Sequence, residues 1–227
     1  MEKTKILVVS FDNQLDAREL PMFRGAINST MENANILFHN HSDDDKLRYS
    51  YPLIQYKRIR RNAAIVCIGE GTEAIGQFFG SANFDVRIGD KSEHLSVASV
   101  NANQYLVQVW DNMFTYRIRK WLPFNKEHYD KFQQLESLAE KYELLESILT
   151  GNILSFGKGI GVTFDKQIVC KITEMLDQQL ITYKGVKLMG FDMEFKSNVS
   201  LPNYIGLGKG VSLGNGTVVQ WERKNKE

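Results

Sequence analysis

Tyr51-Pro-Leu-Ile-Gln-Tyr-Lys-Arg-Ile-Arg-Arg-Asn-Ala-Ala-Ile-Val-Cys-Ile-Gly69 decides how this chain folds. Pro52 to Ile59 and Ala63 to Ile68 are short apolar runs of strand length, and Arg60-Arg61-Asn62 between them is a hairpin-length connection. Upstream, Ile6-Leu-Val-Val9 reads as another buried strand, ending in Asp12-Asn-Gln14. Leu20, Phe23 and Ile27 then mark one stripe of a helix expected to begin near Asp16, with Pro21 in its first turn. That helix should stop by Asn33 to Asn35, before a polar loop from His39 to Tyr51. Downstream, Gly69-Glu-Gly71 breaks the second strand, and Thr72 is placed to cap a short helix carrying Ile75, Phe78 and Phe79. Strand-like segments follow at Phe84 to Ile88 and Tyr105 to Trp110. The order strand, helix, strand, strand, helix, strand is the ferredoxin-like split βαβ arrangement.

Pro123 offers a start for the second half. Apolar residues recur every three or four positions from Tyr129 to Leu149, which predicts one amphipathic helix over Glu127 to Leu149, with Gly151 just past its end. The tail alternates strands (Lys187 to Lys196, Thr217 to Trp221) with glycine-rich loops. No Ser- or Pro-rich linker separates the halves. The fold class expected is α+β, with two packed ferredoxin-like units, residues 1–110 and 111–227, and a glycine-rich loop near the C-terminus.

The chain of 227 residues carries 28 Lys+Arg against 27 Asp+Glu, and its 43% hydrophobic content is that of a globular protein rather than a disordered chain, a collagen or a coiled-coil rod. Cys67 and Cys170 lie too far apart for a disulfide framework or a zinc ribbon. The apolar runs are too short for a membrane helix or a signal peptide, so a soluble, cytoplasmic protein is expected. The net charge of +1 hides segregation. Lys126 to Leu149 holds three Lys against six acidic residues, a net of −3, so the remaining residues carry +4.

Three features carry chemistry. His39-Asn40-His41 would put two imidazoles on one side of an extended segment. These are either ordinary loop histidines, a proton-transfer pair working near neutrality, or part of a metal site. His94 and His128 are remote, and Asp43 to Asp45 complete no known ligand pattern. The segment Lys46 to Gly69 holds Lys46, Arg48, Lys57, Arg58, Arg60 and Arg61 with no acidic residue, interleaved with Tyr49, Tyr51 and Tyr56. Phosphates suit such cations and splayed bases suit such rings, although a solvated hairpin face has the same composition. Gly206-Leu-Gly-Lys-Gly-Val-Ser-Leu-Gly-Asn-Gly216 packs five glycines around Lys209 and Ser212. Gly206, Gly208, Gly210, Gly214 and Gly216 would let backbone amides approach phosphate, with Lys209 adding charge. The spacing is neither a P-loop nor a dinucleotide fingerprint. Flanking Tyr204-Ile205 and Val218-Val219 favour a tight turn over a flexible surface loop. A smaller echo, Phe156-Gly-Lys-Gly-Ile-Gly161, serves as a chain reversal, with Lys158 a further candidate phosphate contact.

His39-Asn-His41, the run Tyr51-Pro-Leu-Ile-Gln-Tyr-Lys57, and Leu201-Pro-Asn-Tyr-Ile-Gly-Leu-Gly-Lys209 leading into Gly214-Asn-Gly216 together resemble the CRISPR-associated repeat-processing endoribonucleases of the RAMP superfamily. The resemblance extends across most of the chain and is thinnest over Gly89 to Asn103. It implies two ferredoxin-like (RRM-like) units and cleavage of CRISPR repeat precursor RNA without metal or other cofactor. The 2′-OH beside the scissile phosphate would act as nucleophile, leaving 2′,3′-cyclic phosphate and 5′-OH ends. It further implies His39 and His41 as general base and acid in either order, with Tyr49 or Tyr51 orienting the phosphate or the 2′-OH. Two departures are visible. Leu213 and Asn215 stand where the family often has a basic residue and an aromatic, and Asp43 to Asp45 bring negative charge near the expected phosphate. A non-catalytic RAMP subunit gripping guide RNA and a metal-dependent hydrolase are the competing readings. Other CRISPR-associated proteins and a second copy of the chain are conceivable partners.

Overall fold

The structure is a computed structural model that describes residues 3–30, 51–81 and 84–221. It divides into two units, one of Met1–Leu106 together with Ser212–Gly214, the other of Val107–Val211 and Asn215–Glu227.

In the first unit β1 (Thr4–Gln14), β2 (Ile54–Ile59), β3 (Asn62–Ile68) and β6 (Val97–Tyr105) form an antiparallel sheet in the order β2-β3-β1-β6. Helices α1 (Leu20–Ser29) and α2 (Gly71–Ser81) complete the ferredoxin-like pattern. A hairpin of β4 (Asp85–Ile88) and β5 (Lys91–His94) is inserted before the last strand. The central strands are buried on both faces, which is why Ile65-Val-Cys-Ile68 reads as an unbroken apolar run. Val9, Phe11, Ile65 and Cys67 point into the core with Phe23 and Ile27 of α1 and Ile75 and Phe78 of α2. Phe11, Phe23 and Tyr56 meet edge to face, with centroids 6.0 and 5.8 Å apart.

Helix α1 begins at Leu20 rather than near Asp16. Asp16 opens a turn instead, its amide donating to the Glu19 carboxylate at 2.8 Å, and the helix ends at Ser29. Thr72 lies inside α2, its hydroxyl donating to the Gly69 carbonyl at 2.7 Å rather than capping the helix as an N-cap residue. Phe84 has φ of 61° and sits just outside β4, which among the described residues pairs only with β5. The fourth strand of the main sheet is β6. Its residues Val97 to Gln104 are exposed on both faces, so they show no apolar alternation. The strand expected over Tyr105 to Trp110 is interrupted at residues 106–108, where one unit gives way to the other.

The second unit repeats the pattern with β7 (Val109–Trp121), β8 (Cys170–Tyr183), β9 (Val186–Val199) and β10 (Thr217–Gln220), in the order β10-β7-β9-β8. Its first strand thus precedes Pro123. Helices α3 (Lys126–Gln134) and α4 (Leu138–Gly159) follow β7. The single helix expected over Glu127 to Leu149 is therefore two, because Leu135 turns to extended backbone and Ser137 caps α4 by accepting from the Ala139 amide. Gly151 lies within α4, which runs on through Phe156-Gly-Lys-Gly159 before the chain reverses at Gly161. Between β9 and β10, where the first unit has a helix, residues 200–216 form turns and isolated bridges. No helix among the described residues is long and apolar enough to cross a membrane.

Candidate nucleic-acid interface

His39, His41, Lys46, Arg48 and Tyr49 lie outside the described residues. The chain is described again from Tyr51, which leads through Pro52 and Leu53 into β2. The Tyr51 hydroxyl accepts a hydrogen bond from Gln55 Nε2 at 2.8 Å, and the same nitrogen donates to the Pro52 carbonyl at 3.0 Å.

Along β2 successive side chains alternate between the two faces. Tyr56 points into the core, where it is 1% exposed and its hydroxyl donates to Asn28 Oδ1 of α1 at 2.9 Å. Burial pushes its phenol well above the usual range. The ring is thus packing for α1 and does not reach the surface. Lys57 projects to the other face beside Gln55, and it too is 1% exposed. Burial pulls its ammonium down to about 7. Arg58 is exposed but anchored, its Nε donating to the Leu15 carbonyl. Arg60 and Arg61 form the two-residue turn, with φ of 51° and 77°. Positive φ at both central positions gives the twist a tight hairpin needs, and the two guanidinium groups are carried outward on it. Five residues of strand, roughly 16 Å, separate this arginine tip from Gln55.

The glycine segment meets β2 at its outer edge. The Tyr56 amide donates to the Ser212 carbonyl at 2.9 Å, and Tyr56 forms a parallel bridge with Leu213. Gly214 makes this approach feasible. With φ of 79° and an imagined Cβ only 2.8 Å from the Leu20 side chain, the position has neither the backbone conformation nor the space for a larger residue. The rest of the segment is knitted into the second unit. The amides of Leu207, Lys209, Asn215 and Gly216 donate to the carbonyls of Gly216, Leu122, Gly210 and Lys120. Gly216 is obligatory here, because a Cβ would stand 1.8 Å from the Leu207 oxygen. Those four amides are spent on the fold rather than offered to phosphate, and Lys209 is the exposed side chain of the segment. Gly206 bridges Thr217, while Gly208 and Gly210 take positive φ against Trp121 and Tyr183. Lys158 is exposed in the last turn of α4.

Lys209 also lines a cavity of about 350 Å³ within the second unit, with Pro123, Asn125, His128, Ser147, Ile148, Gly151, Asn152 and Gly208. Asn125 Oδ1 is taken by the His128 amide at 2.7 Å and Asn152 Oδ1 by the Trp121 indole N–H at 2.9 Å. Each amide therefore keeps its NH2 end for other contacts. With Lys209 and the Ser147 hydroxyl these make a lining rich in donors and free of carboxylates, suited to an anion. Sequence reasoning passed over Asn125 and Asn152; Asn125 was visible only as an asparagine three residues before His128, the spacing of a helix cap. Among the described residues no group of three His, Cys, Asp or Glu is placed to hold a metal ion.

Comparison with known proteins covers the same two units. Residues 2–105 match the model of the Cas6b N-terminal domain and residues 108–221 that of the Cas6b C-terminal domain. A crystal structure of Cas6b superposes with a TM-score of 0.85 at 26% identity, covering 96% of this chain and all of that one. A second, of a CRISPR RNA processing endoribonuclease Cas6b, gives 0.73 at 25% identity with the same coverage. A RAMP protein binding different RNA substrates shares the fold, at a TM-score of 0.55 and 12% identity over 98% of this chain and all of its own. An uncharacterised protein of Methanocaldococcus jannaschii is 39% identical over 115 residues, half of this chain and 77% of its own length. With each unit matched by one half of the same family, the chain belongs to Cas6b, CRISPR repeat-processing endoribonucleases within the RAMP-like Cas6 group.

Proposed function

We propose that this chain cleaves CRISPR repeat RNA at one phosphodiester, without a metal ion, using the 2′-OH of the RNA as nucleophile. One of His39 and His41 takes the 2′-OH proton as O2′ attacks the adjacent phosphorus. The P–O5′ bond breaks, and the other histidine protonates the departing O5′. The products are a 2′,3′-cyclic phosphate and a 5′-OH end, and no water is consumed. A proton-transfer pair of this kind contributes about 10²–10⁴-fold to rate, and in-line positioning of the 2′-OH supplies much of the remainder. Tyr51, which follows the histidine segment and lies three residues before β2, is assigned to donate to a phosphate oxygen as charge builds there. Tyr49 is the alternative for that task.

The observation that carries this reading is the match of both units to Cas6b. It is supported by the position of Tyr51 ten residues after His41 and by the docking of Ser212–Gly214 on the strand Tyr51 leads into. The exposed Arg58, Arg60 and Arg61 and the donor-rich cavity beside Lys209 suit the RNA backbone.

The test is a single-turnover assay on end-labelled repeat RNA with the wild-type chain and a His39→Ala/His41→Ala double variant. The wild type is expected to cut at one position while the double variant binds and does not cut. Cleavage surviving in the double variant would overturn the assigned chemistry. Binding without cleavage by the wild type would favour a non-catalytic RAMP subunit.

A further inference from the structure

The second unit's cavity of about 350 Å³ takes one wall from α4, where Ser147 and Gly151, and likewise Ile148 and Asn152, stand one turn apart. Its volume sits at the small end of ligand sites, which run from roughly 300 to 1,000 Å³. The two asparagines of its lining are each held in one orientation. The Trp121 indole and the His128 amide can only donate, so Asn152 Oδ1 and Asn125 Oδ1 face them, at 2.9 and 2.7 Å, and each Nδ2 is the end left over. Neither Nδ2, nor the Ser147 hydroxyl, nor the Lys209 ammonium has a hydrogen-bond partner among the described residues. The cavity thus offers fixed donors and a positive charge, with no carboxylate in its lining. Glu146, next to Ser147, is occupied by Lys171 Nζ at 2.7 Å and by the Ile172 amide at 3.0 Å.

Two glycines shape the space. Gly208 has φ of 85°, and a Cβ there would stand 2.9 Å from the Leu122 carbonyl oxygen and from the Trp121 ring, so glycine is what lets the chain pass this close to β7. The Lys209 amide then donates to the Leu122 carbonyl at 3.1 Å. Gly151 is a different case. It stands inside α4, where glycine weakens a helix relative to alanine, and beyond its own helix backbone and chain neighbours a Cβ would meet nothing within 4 Å. Packing does not demand glycine at that position. What the missing side chain preserves is the open cavity.

We infer that this cavity binds the phosphate group of a nucleotide. Lys209 supplies the charge, Asn125 and Asn152 the fixed donors, and Pro123 and Ile148 an apolar wall for the sugar. The inference goes beyond the cleavage reading, since none of these side chains is assigned to bond breaking and phosphate is held whether or not RNA is cut. The nucleotide is one unit of bound RNA or a free mononucleotide, and both present the phosphate that the donors recognise.

The test follows backbone amide NMR spectra of the protein during titration with adenosine 5′-monophosphate, with adenosine, and with sodium chloride as an ionic-strength control. The monophosphate should saturably shift the amides of Asn125, His128, Asn152 and Lys209, while adenosine and chloride should not. Asn125→Asp keeps the cap of α3, because aspartate serves that position as well as asparagine does, and Asn152→Asp still accepts from the indole. Each replaces an NH2 by negative charge and should weaken the monophosphate about 10-fold or more without lowering the melting temperature. Gly151→Leu should raise the melting temperature, leucine being the better helix former, and abolish the response by filling the cavity. Repeat RNA carrying one 2′-deoxynucleotide at the cleavage position then identifies the source. Displacement of the monophosphate assigns the cavity to an RNA nucleotide, and simultaneous binding assigns it to a free one. Absence of a saturable shift, equal shifts with adenosine, or unchanged affinity in both aspartate variants would overturn the phosphate site. A chain that keeps these shifts but does not cut RNA refutes the cleavage reading alone.

Discussion

Lys57 is the most informative single residue of the described interface. In sequence it belongs to a basic, tyrosine-containing run and reads as a phosphate contact, yet its side chain is 1% exposed. Burial lowers its pKa to about 7, against roughly 10.4 in an unfolded chain. Below pH 7 the lysine is charged in both states and its burial penalty is fully felt. As the pH climbs above 7 the folded state releases this proton while the unfolded state keeps it, so stability rises with pH. The buried thiols of Cys67 and Cys170, both held protonated by burial, pull the other way above about pH 8.5. Urea titrations should therefore show stability increasing from pH 6.5 to 8.5. Lys57→Met should flatten that rise and be the more stable protein at pH 6; an unchanged slope would show that the ammonium finds full compensation when charged. Tyr56 and Lys57 also mark what was not legible. Both read as RNA contacts in the sequence, but neighbours on a strand face opposite ways and β2 is covered on both faces here. The histidine pair lies outside the described residues, so its proposed proton transfer rests on the motif, the family resemblance and the pKa of imidazole.

Among the elements, the β2–β3 hairpin was plain in the sequence because two apolar runs flank a connection of turn length. The glycine segment was legible as a structured turn, since apolar pairs bracket it, but its use was not. Glycines spaced to expose amides to phosphate have several of those amides closed onto neighbouring carbonyls instead. Gly216→Ala should therefore act on stability first, by roughly 2 kcal/mol or more, through a positive φ and a Cβ placed on the Leu207 oxygen; a thermal melt reads this directly. Lys209→Met should do the opposite, leaving the melt unchanged and weakening RNA binding. If Lys209 neutralises one phosphate of single-stranded RNA, the slope of log affinity against log salt falls by about 0.7. The α3–α4 junction and β6 were hidden for physical reasons. Leu135 and Leu138 continue the apolar spacing through the break, although Leu138 is 72% exposed. The polar β6 lies at a sheet edge with both faces open, where no alternation is imposed.

For the molecule as a whole, two units carry one strand order, with the last strand beside the first and the third next to it. The repetition was expected, although the sequence shows no internal repeat, because each unit varies the pattern in its own way. The first inserts the β4–β5 hairpin; the second replaces a helix with the glycine segment and divides the other in two. The near-neutral total charge follows from the same economy. Acidic residues are gathered on α3 and α4 while the β2–β3 hairpin keeps its arginines, so a net of +1 is compatible with a chain that handles RNA. The salt dependence of binding, set by local cations, should accordingly be much steeper than that total suggests.

The proposed chemistry makes the RNA its own nucleophile, which can be tested by changing one atom of the substrate. End-labelled repeat RNA, unmodified or carrying a single 2′-deoxynucleotide just 5′ of the scissile phosphate, is incubated with the protein in the presence of EDTA, and the product ends are identified. The unmodified RNA should be cut once, to a 2′,3′-cyclic phosphate and a 5′-OH, and the deoxy-substituted RNA should be bound but left intact. Cleavage of the deoxy-substituted RNA, or cleavage of the natural RNA only once a divalent ion is restored, would contradict it.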